Sequence, residues 1–249
     1  MIQTYLERGV VAGVVAGVLY GLYVAVVANP IVGYMEGLGG HGHDHAHDHG
    51  HGHEAAHAVS ETATAVVSVG SGVLWGILLG AAFALAFYVL EPALPGSRRV
   101  KGYVLAGAGF LTVSGVPWLV LPPAAPGAEQ AYGPDVRLAI YAGLMLLGAL
   151  VATAAVVAYR RTESRGTVPA LVAGAVRVIA VVVVLPLAAP TITEPGAMPT
   201  DLVAGFRGLV VLSQAALWVV VAATFDRLLE RADPTDDPAR LEEELSVNV

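Results

Sequence analysis

The sequence predicts an all-α integral membrane protein, a bundle of about six transmembrane helices with a long His-rich external loop. Three observations carry that prediction. Of 249 residues 56 % are hydrophobic and only 13 % charged, whereas a soluble domain carries about 25 % charged residues. The basic residues fall on every other connection between the apolar blocks. All eight histidines are gathered into one polar stretch between the first two blocks.

At 1.5 Å per residue, about 20 apolar residues cross the roughly 30 Å hydrocarbon core. Spans are expected at about 9–29, 65–90, 102–121, 136–158, 168–189 and 203–225, within a polytopic domain covering residues 1–225. Asn29-Pro30, Glu91-Pro92, Pro122-Pro123 and Pro190 mark ends, because proline cannot continue the backbone ladder. The first block is expected to be a retained span, since its apolar core of roughly 20 residues exceeds the 7–15 of a signal peptide. Residues 30–62 form the His-rich loop, and residues 226–249 a charged cytoplasmic tail.

Orientation follows from Lys and Arg, which accumulate on the cytoplasmic side. Arg8, then Arg98, Arg99 and Lys101, then Arg160, Arg161 and Arg165, then Arg227, Arg231 and Arg240 occupy both ends of the chain and alternate loops. The other three loops hold none apart from Arg137 at a span boundary. Both termini are therefore expected inside and the His-rich loop outside, in a multi-pass protein of the cell membrane.

Within the spans, Gly9, Gly13, Gly17 and Gly21 recur every fourth residue, and Gly72, Gly76 and Gly80 repeat the pattern. Such positions share a helix face and let two backbones approach closely, so the first two spans are expected to pack through them. Pro117 cannot donate a hydrogen bond, which frees the carbonyl of Val113 and kinks the third span. A freed carbonyl at membrane depth is taken up by a neighbour or coordinates a cation. Trp118 is expected at the outer interface.

Composition excludes several functions. The chain has no cysteine, hence no disulfide or thiolate metal site. Its net charge of −7 gives nucleic acid no purchase. Lys101, the one lysine, follows Val100, so the chain holds no Gly-Lys-Ser/Thr phosphate loop. With every histidine in one loop, no Ser-His-Asp arrangement and no His-Glu-x-x-His motif is expected, and no helix is expected to hold a metal-ligand pair in the membrane. An enzyme is not expected.

The run itself reads HGHDHAHDHGHGH. His41, His43, His45, His47, His49, His51 and His53 alternate with Gly, Ala and Asp, and His57 follows. Neutral imidazole suits zinc, nickel, cobalt and copper alike, and small spacers let several rings converge on one ion. Asp44 and Asp48 add oxygen ligands. A flexible Gly-rich chain of this length spans roughly 30 Å, enough to reach over the mouth of the bundle. Imidazole protonates near pH 6.5, so capture should fade in mild acid. No permanently bound cofactor is expected, only a divalent transition metal as cargo.

Carboxylates fall on the same expected outer side: Glu36, Glu54, Glu61, Glu129, Asp135, Glu194 and Asp201. They would concentrate cations, as would the ordinary surface of any loop. Candidate path residues are Glu36, Pro117, Glu129, Arg177 and Glu194, with Glu91 as an inner release ligand. Arg177 lies near the middle of the fifth span and Arg207 one turn into the sixth. An arginine at a helix centre costs about 2.5–3.5 kcal/mol on insertion scales. Each is read as a counter-ion or gatekeeper, or as a snorkelling or structurally paired cation.

The chain resembles the CbtA family of cobalt transporter components. The resemblance rests on Arg8-Gly9-Val10-Val11-Ala12-Gly13 opening the first helix, the His-rich loop after it, Leu121-Pro122-Pro123-Ala124-Ala125-Pro126-Gly127 after the third span, and Arg137 opening the fourth. It is carried by residues 1–160, and beyond them by topology. The resemblance implies cobalt uptake, often with a small His-bearing membrane partner (CbtB-like). The family is usually described with five spans, and six are counted here. The expected function is therefore a permease component for cobalt, or nickel. The alternative is a non-conducting metal-binding accessory or sensor subunit of a separate transporter. An exporter would place its His-rich loop in the cytoplasm.

Overall fold

The computed structural model describes residues 2–39, 53–189, 193–194 and 198–231. Six helices are long and apolar enough to cross a membrane: Ile2–Leu38, Ala63–Ala93, Arg98–Leu119, Pro134–Arg165, Thr167–Ala188 and Thr200–Glu230. Among the described residues the strands are a two-residue pair.

The first span joins α1 (Ile2–Tyr23) to α2 (Asn29–Gly39) through a π-helical turn at Val24–Ala28. Next come α3 (His53–Leu90) and α4 (Arg98–Phe110), the latter running on through a second π-helical turn, Leu111–Gly115, to Pro117. Then follow β1 (Glu129–Gln130), α5 (Pro134–Thr162), α6 (Thr167–Ala188), β2 (Thr193–Glu194) and α7 (Thr200–Glu230). Each expected span lies inside a helix to within two residues: four helices overrun the apolar stretches at both ends, while 102–121 and 168–189 end one or two residues beyond Leu119 and Ala188. The first span is 37 residues long, about 55 Å at 1.5 Å per residue, so its ends extend beyond a bilayer core. Two expected boundaries shift accordingly. Residues 30–39 and 53–62, read as loop, are helical, and α7 continues past Asp226, read as the start of the tail. Residues 40–52 and 232–249 lie outside the described residues.

α1 and α3 make the most extensive contact in the molecule. They run antiparallel, with Gly9 on Gly80, Gly13 on Gly76, and Gly17 on Gly72. A methyl group on Gly17 would stand 2.5 Å from the Gly72 carbonyl oxygen and 2.9 Å from the Val73 Cα, so no side chain fits this seam. The expected glycine-face packing of the first two spans is what the structure has.

α7 packs on the other side of α1 and on α4, and α5 meets α4 chiefly at the second π-turn. α6 rests mainly on α5. At the end of the bundle where α1 begins and α7 finishes, Tyr5, Phe83, Phe87 and Phe225 interlock with ring centroids 5.4–6.4 Å apart. There Asp226, its side chain 8 % exposed, accepts from Arg99 Nε at 3.1 Å, and Glu230 accepts from Arg99 Nη2 at 2.8 Å. Arg160 donates to the Ala93 carbonyl (3.1 Å) at the same end.

Candidate functional site

The opposite end, where α2 stops and α3 starts, gathers the loop residues. Met35 on α2, Ala125 in the Leu121–Gly127 segment and Val203 on α7 bury one another in a second small core. Proline fixes φ and removes donors at Pro122, Pro123 and Pro126, so this segment needs outside support. Arg207 supplies it from α7, its Nε donating to the Pro123 carbonyl at 3.4 Å. Arg137, in the first turn of α5, lines a cavity of about 470 Å³ with Trp118, Pro123, Gln130 and Tyr141. Arg137 Nε and Arg207 Nη2 are buried without a hydrogen-bond partner among the described residues. Of the two readings open for Arg207, the geometry matches a structural cation that braces the proline segment.

β1 and β2 pair antiparallel at this end, with Glu129 opposite Glu194 and Gln130 opposite Thr193. Two residues of the expected acidic ring, far apart in sequence, are thereby brought to opposed positions in the ladder. Asp135 and Asp201 stand in the first turns of α5 and α7. Glu36 is exposed on α2.

Pro117 is buried, directly beyond the second π-turn. The carbonyl it frees, on Val113, accepts a 2.6 Å hydrogen bond from the Tyr141 hydroxyl. A neighbour therefore takes up this acceptor. Glu91, at the other end of the bundle, accepts from the Tyr5 hydroxyl at 3.4 Å and faces Lys101 Nζ at 3.9 Å. Arg177 is exposed near the middle of α6, where its Nη1 donates to the Ala173 carbonyl one turn back.

His41, His43, His45, His47, His49 and His51, with Asp44 and Asp48, lie outside the described residues. His53 and His57 open α3. The segment His53-Glu54-Ala55-Ala56-His57 spells His-Glu-x-x-His, two metal-binding residue types one turn apart on a helix. That corrects two readings, that all eight histidines are loop residues and that the chain holds no His-Glu-x-x-His motif. The helical pair stands outside the apolar stretch that begins at Ala63.

Sequence reasoning also passes over a polar pair inside the bundle. Gln214 Nε2 on α7 donates to the Tyr20 hydroxyl on α1 at 3.1 Å, one turn from the first π-turn. Gln214 is the one amide in the interior of an expected span, Asn29 closing another, and that was the available signal. Asn29 likewise ties α2 to α3, through a 2.9 Å bond to Ser68 Oγ.

A family model described as probable cobalt transporter subunit (CbtA) matches residues 2–230. No curated protein and no solved structure matches the chain.

Proposed function

Because the chain belongs to the CbtA family of probable cobalt transporter subunits, we propose that it is the membrane permease component of a cobalt uptake system, nickel being a second cargo. The histidines of segment 41–57 capture the ion on the extracytoplasmic side, with Asp44 and Asp48 as auxiliary oxygen ligands. Glu36 and the opposed Glu129 and Glu194 draw it toward the bundle, and the helices pass it inward. The single observation carrying this reading is the conjunction of a family match over residues 2–230 with a His-rich segment that joins the two most tightly packed spans.

The chemistry supports capture rather than storage. Several imidazoles converging on one ion from a Gly-rich tether bind weakly and exchange fast. A helical pair at His53 and His57 offers a more ordered second stop. With no phosphate loop in the sequence, the driving force is the membrane potential, about 2.3 kcal/mol per charge per 100 mV. A small membrane partner that carries histidine and receives the ion fits the same scheme.

One observation favours the non-conducting accessory reading. The α1–α3 seam, between the two spans that the His-rich segment joins, is backbone against backbone with no room for a side chain. Liposomes decide between the two. Purified protein that carries labelled cobalt inward without any partner is a permease, and binding without flux assigns the accessory role. In cells, loss of the chain lowers cobalt accumulation, and His→Ala across 41–53 reproduces part of that loss. Unchanged accumulation in both strains would falsify the capture model.

A further inference from the structure

α6 is the least enclosed of the six helices. Only 11 % of its most apolar stretch is buried, against 33 % in the α3 span. It meets the rest of the protein along a narrow stripe where Ala170 and Gly174 are buried and Gly174 lies against the Ala155 carbonyl of α5. Elsewhere its surface is aliphatic and open, as at Val172, Val176, Ile179 and Val183. Such a surface alone asks for nothing but lipid.

Arg177 changes the argument. It lies three residues after Gly174, at the margin of that stripe, and is exposed. Ten residues separate it from Thr167 and eleven from Ala188, about 15 Å to either helix end at 1.5 Å per residue. That exceeds the length of an arginine side chain, so the guanidinium cannot reach water by snorkelling. Its hydrogen bond goes to the Ala173 carbonyl of its own helix, and among the described residues no acid pairs with it. A guanidinium at that depth pairs with acids or with backbone carbonyls, and a single carbonyl meets one of its five N–H donors.

We propose that α6 docks a transmembrane helix of a different polypeptide that carries an Asp or Glu at mid-depth, and that Arg177 forms the ion pair that fixes register. A second copy of this chain cannot supply that group. Its spans hold acids only near their ends, at Glu7, Glu36, Glu91, Asp135, Glu163, Asp201, Asp226 and Glu230. A lipid headgroup lies at the wrong depth. Membership of a family of transporter subunits fits a partner in the membrane. The docking goes beyond the uptake reading and does not depend on whether this chain conducts.

The test uses the full chain in its own host membrane. Ala180 and Val184, three and seven residues after Arg177, share its face and are exposed; Ile179, two residues after it, faces away and is 58 % exposed. A photo-crosslinking residue at Val184 should yield an adduct with one membrane polypeptide whose apolar span contains a central Asp or Glu, while the same residue at Ile179 should not. Arg177→Leu should lower the adduct at least tenfold, and Arg177→Lys should retain it. Should Arg177→Leu fail to accumulate, the pair Arg177→Asp with the partner's acid changed to Arg should restore the adduct that Arg177→Asp alone loses. Adducts with lipid or a second copy alone, or a yield indifferent to Arg177→Leu, overturn the proposal. Cobalt uptake is not the readout, so failure here leaves the capture model standing.

Discussion

The hydroxyl of Tyr141 on α5 donates a 2.6 Å hydrogen bond to the main-chain carbonyl of Val113, the acceptor that Pro117 deprives of its amide four residues on. This bond joins the α5–α6 hairpin to the third span at its π-turn. Gly148 tightens the same junction, since a methyl there would come within 2.8 Å of the Thr112 Cα.

Tyr141→Phe should therefore destabilise the protein by about 0.6 kcal/mol and by no more than about 1.7, the range of hydrogen bonds between membrane helices. Pro117→Ala returns an amide to the span, so the two changes should couple, with the tyrosine costing less to remove once the proline is gone. A double-mutant cycle of denaturation in detergent measures this. Strict additivity would separate Tyr141 from the proline-freed acceptor.

The α1–α3 seam predicts a sharp contrast among glycines. Gly17→Leu and Gly13→Leu should lower the melting temperature in detergent severely or abolish folding, because each replacement drives a side chain into the backbone of α3. Even Gly72→Ala should destabilise, as its methyl would meet the Gly21 Cα at 2.7 Å. Gly33→Ala on α2 meets nothing within 4 Å and should be neutral or gain roughly 0.5–1 kcal/mol from helix propensity. Equal effects at Gly33 and Gly17 would contradict the packing.

At the other end of the bundle, Asp226→Ala should destabilise more than Glu230→Ala. Arg99 reaches both acids, but the Asp226 side chain is 8 % exposed and that of Glu230 is 48 % exposed. An exposed pair is screened by water and salt, whereas removal of the buried carboxylate leaves a cavity beside the aromatic cluster. Melting curves at low and high salt rank them, and a larger loss at Glu230 would reverse the assignment.

Metal binding to the intact protein should depend on pH in one direction. Imidazole coordinates as the neutral ring, so protons compete with the metal. Calorimetry should detect cobalt binding at pH 7.5 and lose most of it by about pH 5.5, below the ordinary histidine value near 6.5. Replacing His41 through His51 by Ala should remove most of the heat, and the remainder should reside in His53 and His57. Undiminished heat after all eight are replaced would place the ion elsewhere.

Much of this molecule follows from one-dimensional patterns. Apolar run length determines that six segments become helices of membrane-crossing length, because the rise per residue is constant. The four-residue glycine spacing determines that α1 and α3 touch, because a 3.6-residue turn places those positions on one face. The His run carries its expectation of ligand chemistry in residue type and spacing alone, and the calorimetry above is its test.

Tertiary structure decided what depends on partners far apart in sequence. Val113 finds Tyr141, 28 residues on, and Tyr20 finds Gln214, 194 residues on; no local rule pairs them. Glu129 faces Glu194 because two short strands meet, and α7 continues past Asp226 because Arg99 and an aromatic cluster hold it there. Arg137 and Arg207 look alike in sequence to Arg177, each a lone cation at a span. Contact separates them: Arg207 braces a proline segment and Arg137 lines a cavity beside it, while Arg177 stands exposed on a helix that packs chiefly on α5.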